Sequence, residues 1–230
     1  GLLQEVIFPP RLTKIDTKAF YWCKNLTMIA VPATTEVIGD ESFAYCKKLP
    51  KDLLQNLQFG LKRIGEGAFL HCTSLEGFTI PASVASMGAN AFAHSGLVEV
   101  NLVATPSETL LLRVIPERAF YCCLRLQSVA LSNSLERIGK LAFGYCDNLV
   151  SVVIPPDSSV MVEGRAFSSC KNLRCIQLPG EDSFAENSFE RCKSGLIEDV
   201  VRRFDSHPIH KLCYYASTTT KEELRQAIAN

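Results

Sequence analysis

Along this chain apolar residues return in a fixed six-residue pattern, Leu-x-x-apolar-x-apolar, at residues 26–31, 75–80, 126–131, 149–154 and 173–178. The two apolar positions at the end of the pattern are separated by one residue, which is the alternation of a half-buried strand. Pro32, Pro81 and Pro155 follow directly. A proline ends a strand because it has no N–H to give to a ladder. Between these strands runs a second pattern, Ala or Ser followed by Phe, at Phe20, Phe43, Phe69, Phe92, Phe120, Phe143, Phe167 and Phe189. The spacings are 23, 26, 23, 28, 23, 24 and 22 residues. A third apolar position stands four residues before each Ala or Ser: Ile15, Ile38, Ile64, Met87, Ile115, Ile138 and Val162.

Each unit therefore has two inward-facing apolar stretches and one aromatic plug. A single unit cannot cover its own apolar face, and stacked neighbours can. The pattern predicts a repeat solenoid of the α/β class over residues 1–196. It would have about eight coils, a curved parallel β-sheet, and short turns or helices on the other side. Two coils are irregular. In the second, residues 49–54 or 54–59 could supply the strand, and the fourth carries an extra loop around Thr105 to Thr109.

The strand pattern with its proline, followed by Ile-Gly-x-x-Ala-Phe-x-x-Cys, resembles the BspA-type leucine-rich repeat. Ile38-Gly39, Ile64-Gly65, Met87-Gly88 and Ile138-Gly139 match its Ile-Gly step. The resemblance covers about residues 3–196. It implies a fold, and for function it implies interaction and not catalysis, since similar proteins are surface adhesins in some lineages and intracellular interaction proteins in others.

The ends differ from the middle. Residues 3–8 already carry the strand pattern with no polar unit before them, so the ends are expected to be covered by further repeats or by another chain. After Gly195 the apolar spacing becomes helical. His207-Pro208-Ile209-His210 resembles the opening of an ankyrin repeat, and Thr220 with Glu223 forms a capping box before Leu224. Residues 197–230 are thus expected to be a helical cap, possible as the start of an ankyrin-like array, with Leu212, Leu224 and Ile228 buried.

Composition narrows the function. Lys plus Arg and Asp plus Glu are both 24, for a formal net charge of zero. That argues against a nucleic-acid surface, which needs a dense basic stripe. No apolar run is long enough for a transmembrane helix. Seven of the ten cysteines, Cys23, Cys46, Cys72, Cys123, Cys146, Cys170 and Cys192, stand three residues after a repeat Phe. They form one internal ladder of small buried side chains, without the Cys-x-x-Cys spacing of a zinc site. A thiol hydrolase built on a cysteine with His71 or His94 has no local signature. The expectation is a non-enzymatic scaffold with no catalytic residue, no metal and no cofactor. The alternatives are a structural subunit of a larger assembly and a cell-surface adhesin. Intracellular placement is favoured, with a surface location kept open because the chain begins without Met.

Two surfaces could hold a protein partner. Trp22, Tyr45, His71, His94 and Tyr145 share the position two after the repeat Phe, so stacking should line them along one flank. On the strands, the outward positions include Met28, Thr79, Glu99, Asn101 and Gln177. The flank is rich in rigid aromatic side chains, of the kind that interfaces favour.

Overall fold

The computed structural model describes residues 2–54, 60–103, 109–155, 158–176, 185 and 187–192. It is a parallel β-solenoid. One side of each coil is a short strand from the Leu-x-x pattern. These strands are β1 (Glu5–Val6), β3 (Met28–Ile29), β6 (Gly77–Thr79), β8 (Glu99–Asn101), β10 (Ser128–Ala130), β12 (Ser151–Val153) and β14 (Cys175–Ile176). β1 pairs with β3, and β6, β8, β10, β12 and β14 form one five-stranded parallel sheet. Its register sets Phe78, Val100, Val129, Val152 and Ile176 side by side. All five are buried.

The third apolar position forms a second ladder. β2 (Lys14–Ile15), β4 (Val37–Ile38), β5 (Arg63–Ile64) and β7 (Ser86–Met87) make one sheet. β9 (Val114–Ile115), β11 (Arg137–Ile138) and β13 (Met161–Val162) make another. Ile15, Ile38, Ile64, Ile115, Ile138 and Val162 are buried, and Met87 packs against the same core.

Between the two ladders the repeat phenylalanines stack as a column, with neighbouring ring centroids 5.1–5.5 Å apart. Phe43, Phe69, Phe92, Phe120, Phe143 and Phe167 are fully buried. Phe20 is half-buried under the edge of Phe8, 5.7 Å away, and Phe189 ends the column. The spacing predicts about eight coils. The described residues support a parallel solenoid of about six turns.

The glycine of the Ile-Gly step is a packing requirement. A Cβ at Gly88 would collide with the backbone nitrogen of Glu66 in the preceding coil. Backbone meets backbone there, and only Gly allows it.

Three expectations are corrected or lie elsewhere. No α-helix occurs among the described residues: the segment around each Phe is a series of turns. Residues 49–54 do not form the second coil's strand. Pro50 instead accepts a turn bond from the Leu53 N–H at 3.2 Å, with Leu49, Leu53 and Leu54 buried beneath it. Residues 55–59, most of the loop at 105–109, Gln177 and the whole segment 197–230, with its helical and ankyrin-like expectations, lie outside the described residues.

Candidate functional site

The turn around each Phe decides where the flank side chains go. In the first coil Ala19 N–H bonds to Asp16, Tyr21 to Lys18 and Cys23 to Phe20, giving three overlapping turns. The residues between, Lys18, Phe20 and Trp22, donate instead to the carbonyls of Asp40, Ser42 and Ala44 in the next coil, at 2.8–2.9 Å. The same bond recurs at each flank position, from Tyr45 to Leu70, His71 to Ala93, His94 to Tyr121 and Tyr145 to Ser168.

These flank residues all adopt the left-handed backbone conformation, with φ of 63° at Trp22, 65° at Tyr45, 58° at His71, 57° at His94 and 61° at Tyr145. That region suits Gly or Asn and is an outlier for large side chains. The inter-coil hydrogen bond from each residue's own N–H holds it there. The side chains consequently leave the coil at the same angle and meet their equivalents above and below.

The result is a continuous aromatic strip. Trp22 stacks on Tyr45 at 4.8 Å, Tyr45 on His71 at 4.8 Å, and His71 on His94 at 4.3 Å with rings only 10° from parallel. Cys122, the next flank residue, is too small to continue the stack. Tyr121 takes its place, edge-on to His94 at 5.6 Å and to Tyr145 at 5.4 Å. Tyr21 joins the other end, 5.8 Å from Tyr45. Trp22 and Tyr21 are each 42% exposed and Tyr145 is 37% exposed; Tyr45, His71, His94 and Tyr121 are half-buried. Tyr21 and Tyr121 are not among the residues singled out from the sequence. The signal was present in the coil whose flank residue is Cys122: an aromatic stands one position earlier.

The two imidazoles share a charge problem. Partial burial disfavours the protonated form of each, and His71 also faces His94 and Lys47, so both pKa values lie below the usual 6.5. At neutral pH the stack is two neutral rings.

One position further on, the side chain turns inward and the thiol ladder begins. Cys46 donates its S–H to the Phe20 carbonyl at 3.0 Å, Cys72 to Phe43 at 3.0 Å and Cys123 to Phe92 at 3.1 Å. Cys146, Cys170 and Cys192 repeat this to Phe120, Phe143 and Phe167. Each Phe carbonyl already accepts the turn bond of its own coil, and the thiol fills its second lone pair. Burial pushes the Cys46 and Cys123 thiols up to about 12, and those of Cys72, Cys146 and Cys170 well above the usual range. The eight cysteines whose side chains are described are free thiols. Among the described residues no three His, Cys, Asp or Glu side chains gather in a group that could hold a metal.

The strand residues form a separate surface. Met28, Thr79, Glu99 and Asn101 all point outward and are exposed. Thr79 lies beside Asn101 in the five-stranded sheet, while Met28 belongs to the two-stranded sheet of β1 and β3. The Asn101 side chain is occupied by the Val103 N–H at 3.0 Å. Among the described residues no helix is long and apolar enough to cross a membrane.

Comparison with known proteins bears first on the repeat. The family model described as "BspA type Leucine rich repeat region" matches in 6 copies, over residues 2–110, 62–196 and 113–218. No curated protein matches in sequence. Among solved structures, a Treponema pallidum leucine-rich repeat protein is 26% identical with a TM-score of 0.56, over 88% of this chain and 84% of that one. A leucine-rich repeat protein of Eubacterium ventriosum is 19% identical with a TM-score of 0.52, over 81% of this chain. A Faecalibacterium prausnitzii protein described as a leucine-rich cell surface protein is 22% identical with a TM-score of 0.49, over 77% of this chain. The chain spans 60% of the length of each of these last two proteins.

Proposed function

The chain belongs to the BspA-type leucine-rich repeat family, and from that premise we propose that it is a non-catalytic recognition solenoid holding a protein partner along its aromatic strip. The observation that carries this is the exposure of Trp22, Tyr21 and Tyr145 on a line of rings whose flank members, Trp22 and Tyr145 among them, are held in the left-handed backbone conformation. Strain of this kind persists where the surrounding structure enforces it, and it clusters at binding sites. Rigid, half-exposed aromatic side chains supply contact area at low entropic cost. The strand face competes with it, but its outward residues are mostly small or polar, and its exposed apolar ones, Met28 and Val153, are not rigid rings.

A photo-reactive amino acid placed at Tyr45 should cross-link to the partner in native extract, whereas one placed at Glu99 should not. Cross-links from Glu99 alone would move the site to the sheet.

A second reading, a cell-surface adhesin, takes its support from family membership, since similar proteins stand on cell surfaces in some lineages. Free cysteines are uncommon in oxidising surroundings, yet here the ladder thiols are sealed in the core, so the fold suits that location too. Antibody labelling of intact cells that make the protein separates the two: signal without permeabilisation supports the adhesin, and signal only after permeabilisation opposes it.

A further inference from the structure

The edge that the strip turns to solvent has a definite chemistry, and it rests on the strip being the partner surface. The faces of its rings are largely occupied. Trp22, Tyr45, His71 and His94 cover one another, and the Lys24 ammonium sits 3.9 Å from the Trp22 ring centroid. What remains open is ring edges, which carry the positive part of the aromatic quadrupole. The indole N–H of Trp22 and the hydroxyls of Tyr21 and Tyr45 have no hydrogen-bond partner among the described residues. Around this end of the strip the charge is positive. Lys18 is paired with Glu41 at 3.5 Å, but Lys24 and Lys47 form no ion pair among the described residues, and Lys48 bonds only to the side chain of Asn25. Cations, N–H and O–H donors, and positive ring edges all seek acceptors. A sugar would need a free ring face to stack on, and at this end of the strip the rings of Trp22, Tyr45 and His71 are each covered on both sides, by a neighbouring ring or by Lys24.

We infer that the Trp22–Tyr45 end of the strip binds an extended acidic polypeptide segment, its carboxylates on Lys24, Lys47 and Lys48 and its backbone and apolar side chains along the ring edges. The segment would run along the solenoid axis, across successive coils.

Trp22 is the chain's single tryptophan, so its fluorescence reports on this end alone. The probe is a short synthetic peptide of alternating glutamate and proline, which is extended without a partner. Titration should change Trp22 fluorescence saturably, and added salt should weaken binding. The glutamine–proline counterpart should bind about tenfold more weakly or worse. Lys24→Ala with Lys47→Ala, followed by the anisotropy of labelled peptide, should cost about fivefold in affinity, from two exposed charge pairs. The unfolding midpoint of that variant should not move. No saturable change, equal binding of the glutamine peptide, or tighter binding of polygalacturonate than of the glutamate peptide would each overturn the inference. Should the Tyr45 cross-links hold while the peptide fails, the acidic partner falls and the recognition strip stands. Should the cross-links come from Glu99 alone, both fall.

Discussion

Phe143 shows what a single residue contributes. It is fully buried between Phe120 at 5.1 Å and Phe167 at 5.2 Å, so truncation leaves a cavity in the middle of the column. Phe143→Ala should cost about 3–5 kcal/mol in denaturant unfolding; a loss below about 1 kcal/mol would mean the column does not hold the coils together. The histidine stack makes a different prediction. Both imidazoles have depressed pKa values in the folded protein, so below the ordinary value of 6.5 the unfolded chain binds more protons than the folded one. Stability should fall as pH drops through and below 6.5, and His71→Phe with His94→Phe should flatten that part of the profile. Unchanged pH dependence in the double variant would show that groups outside this stack set it. The inward phenylalanines and the flank position were both legible in the sequence, because each recurs at a fixed offset. The stacking partners Tyr21 and Tyr121 were not. They occupy a position that elsewhere holds Ala, Leu, Gly, Ser or Glu, and only contact across coils gives it meaning.

At the level of the element, the turn ladder is where reading from sequence left two alternatives open. Helices or turns both fitted a segment of this length, and the left-handed positions that would mark turns are usually written in Gly or Asn. Among the described residues only Gly67, Asn90 and Asn187 carry that mark, while Trp, Tyr, His, Lys, Arg, Glu, Cys, Leu and Ser hold the others. The inter-coil hydrogen bonds override local preference, and no single coil reveals them. Two measurements address this element. Gly88→Ala places a methyl group against the Glu66 backbone, so it should destabilise by about 1–3 kcal/mol or more. A neutral effect would refute the close approach of the coils. The thiol ladder should resist alkylation in the native protein at mildly alkaline pH, because Cys46, Cys72, Cys123, Cys146 and Cys170 are buried with raised pKa values. They should label only on unfolding, whereas prompt native labelling at Cys146 would contradict an intact ladder.

For the whole molecule, the repeat supplies both the scaffold and the site. Each coil contacts its neighbours and little else, so the fold extends one rung at a time and equivalent residues from distant parts of the sequence end up about 5 Å apart. A strip that no local motif announces emerges from that translation. The second coil's insertion was the least legible of the described parts, because it breaks the period from which everything else is read. Both candidate surfaces carry exposed oxidisable side chains: Trp22, Tyr21 and Tyr145 on the strip, and Met28 on the strand face, 53% exposed. Hydroxyl-radical footprinting of the protein with and without its native partner mixture compares them in one experiment. Recognition along the strip predicts that oxidation of Trp22, Tyr21 and Tyr145 falls on binding while Met28 is unchanged; protection of Met28 with the strip still fully reactive would contradict it.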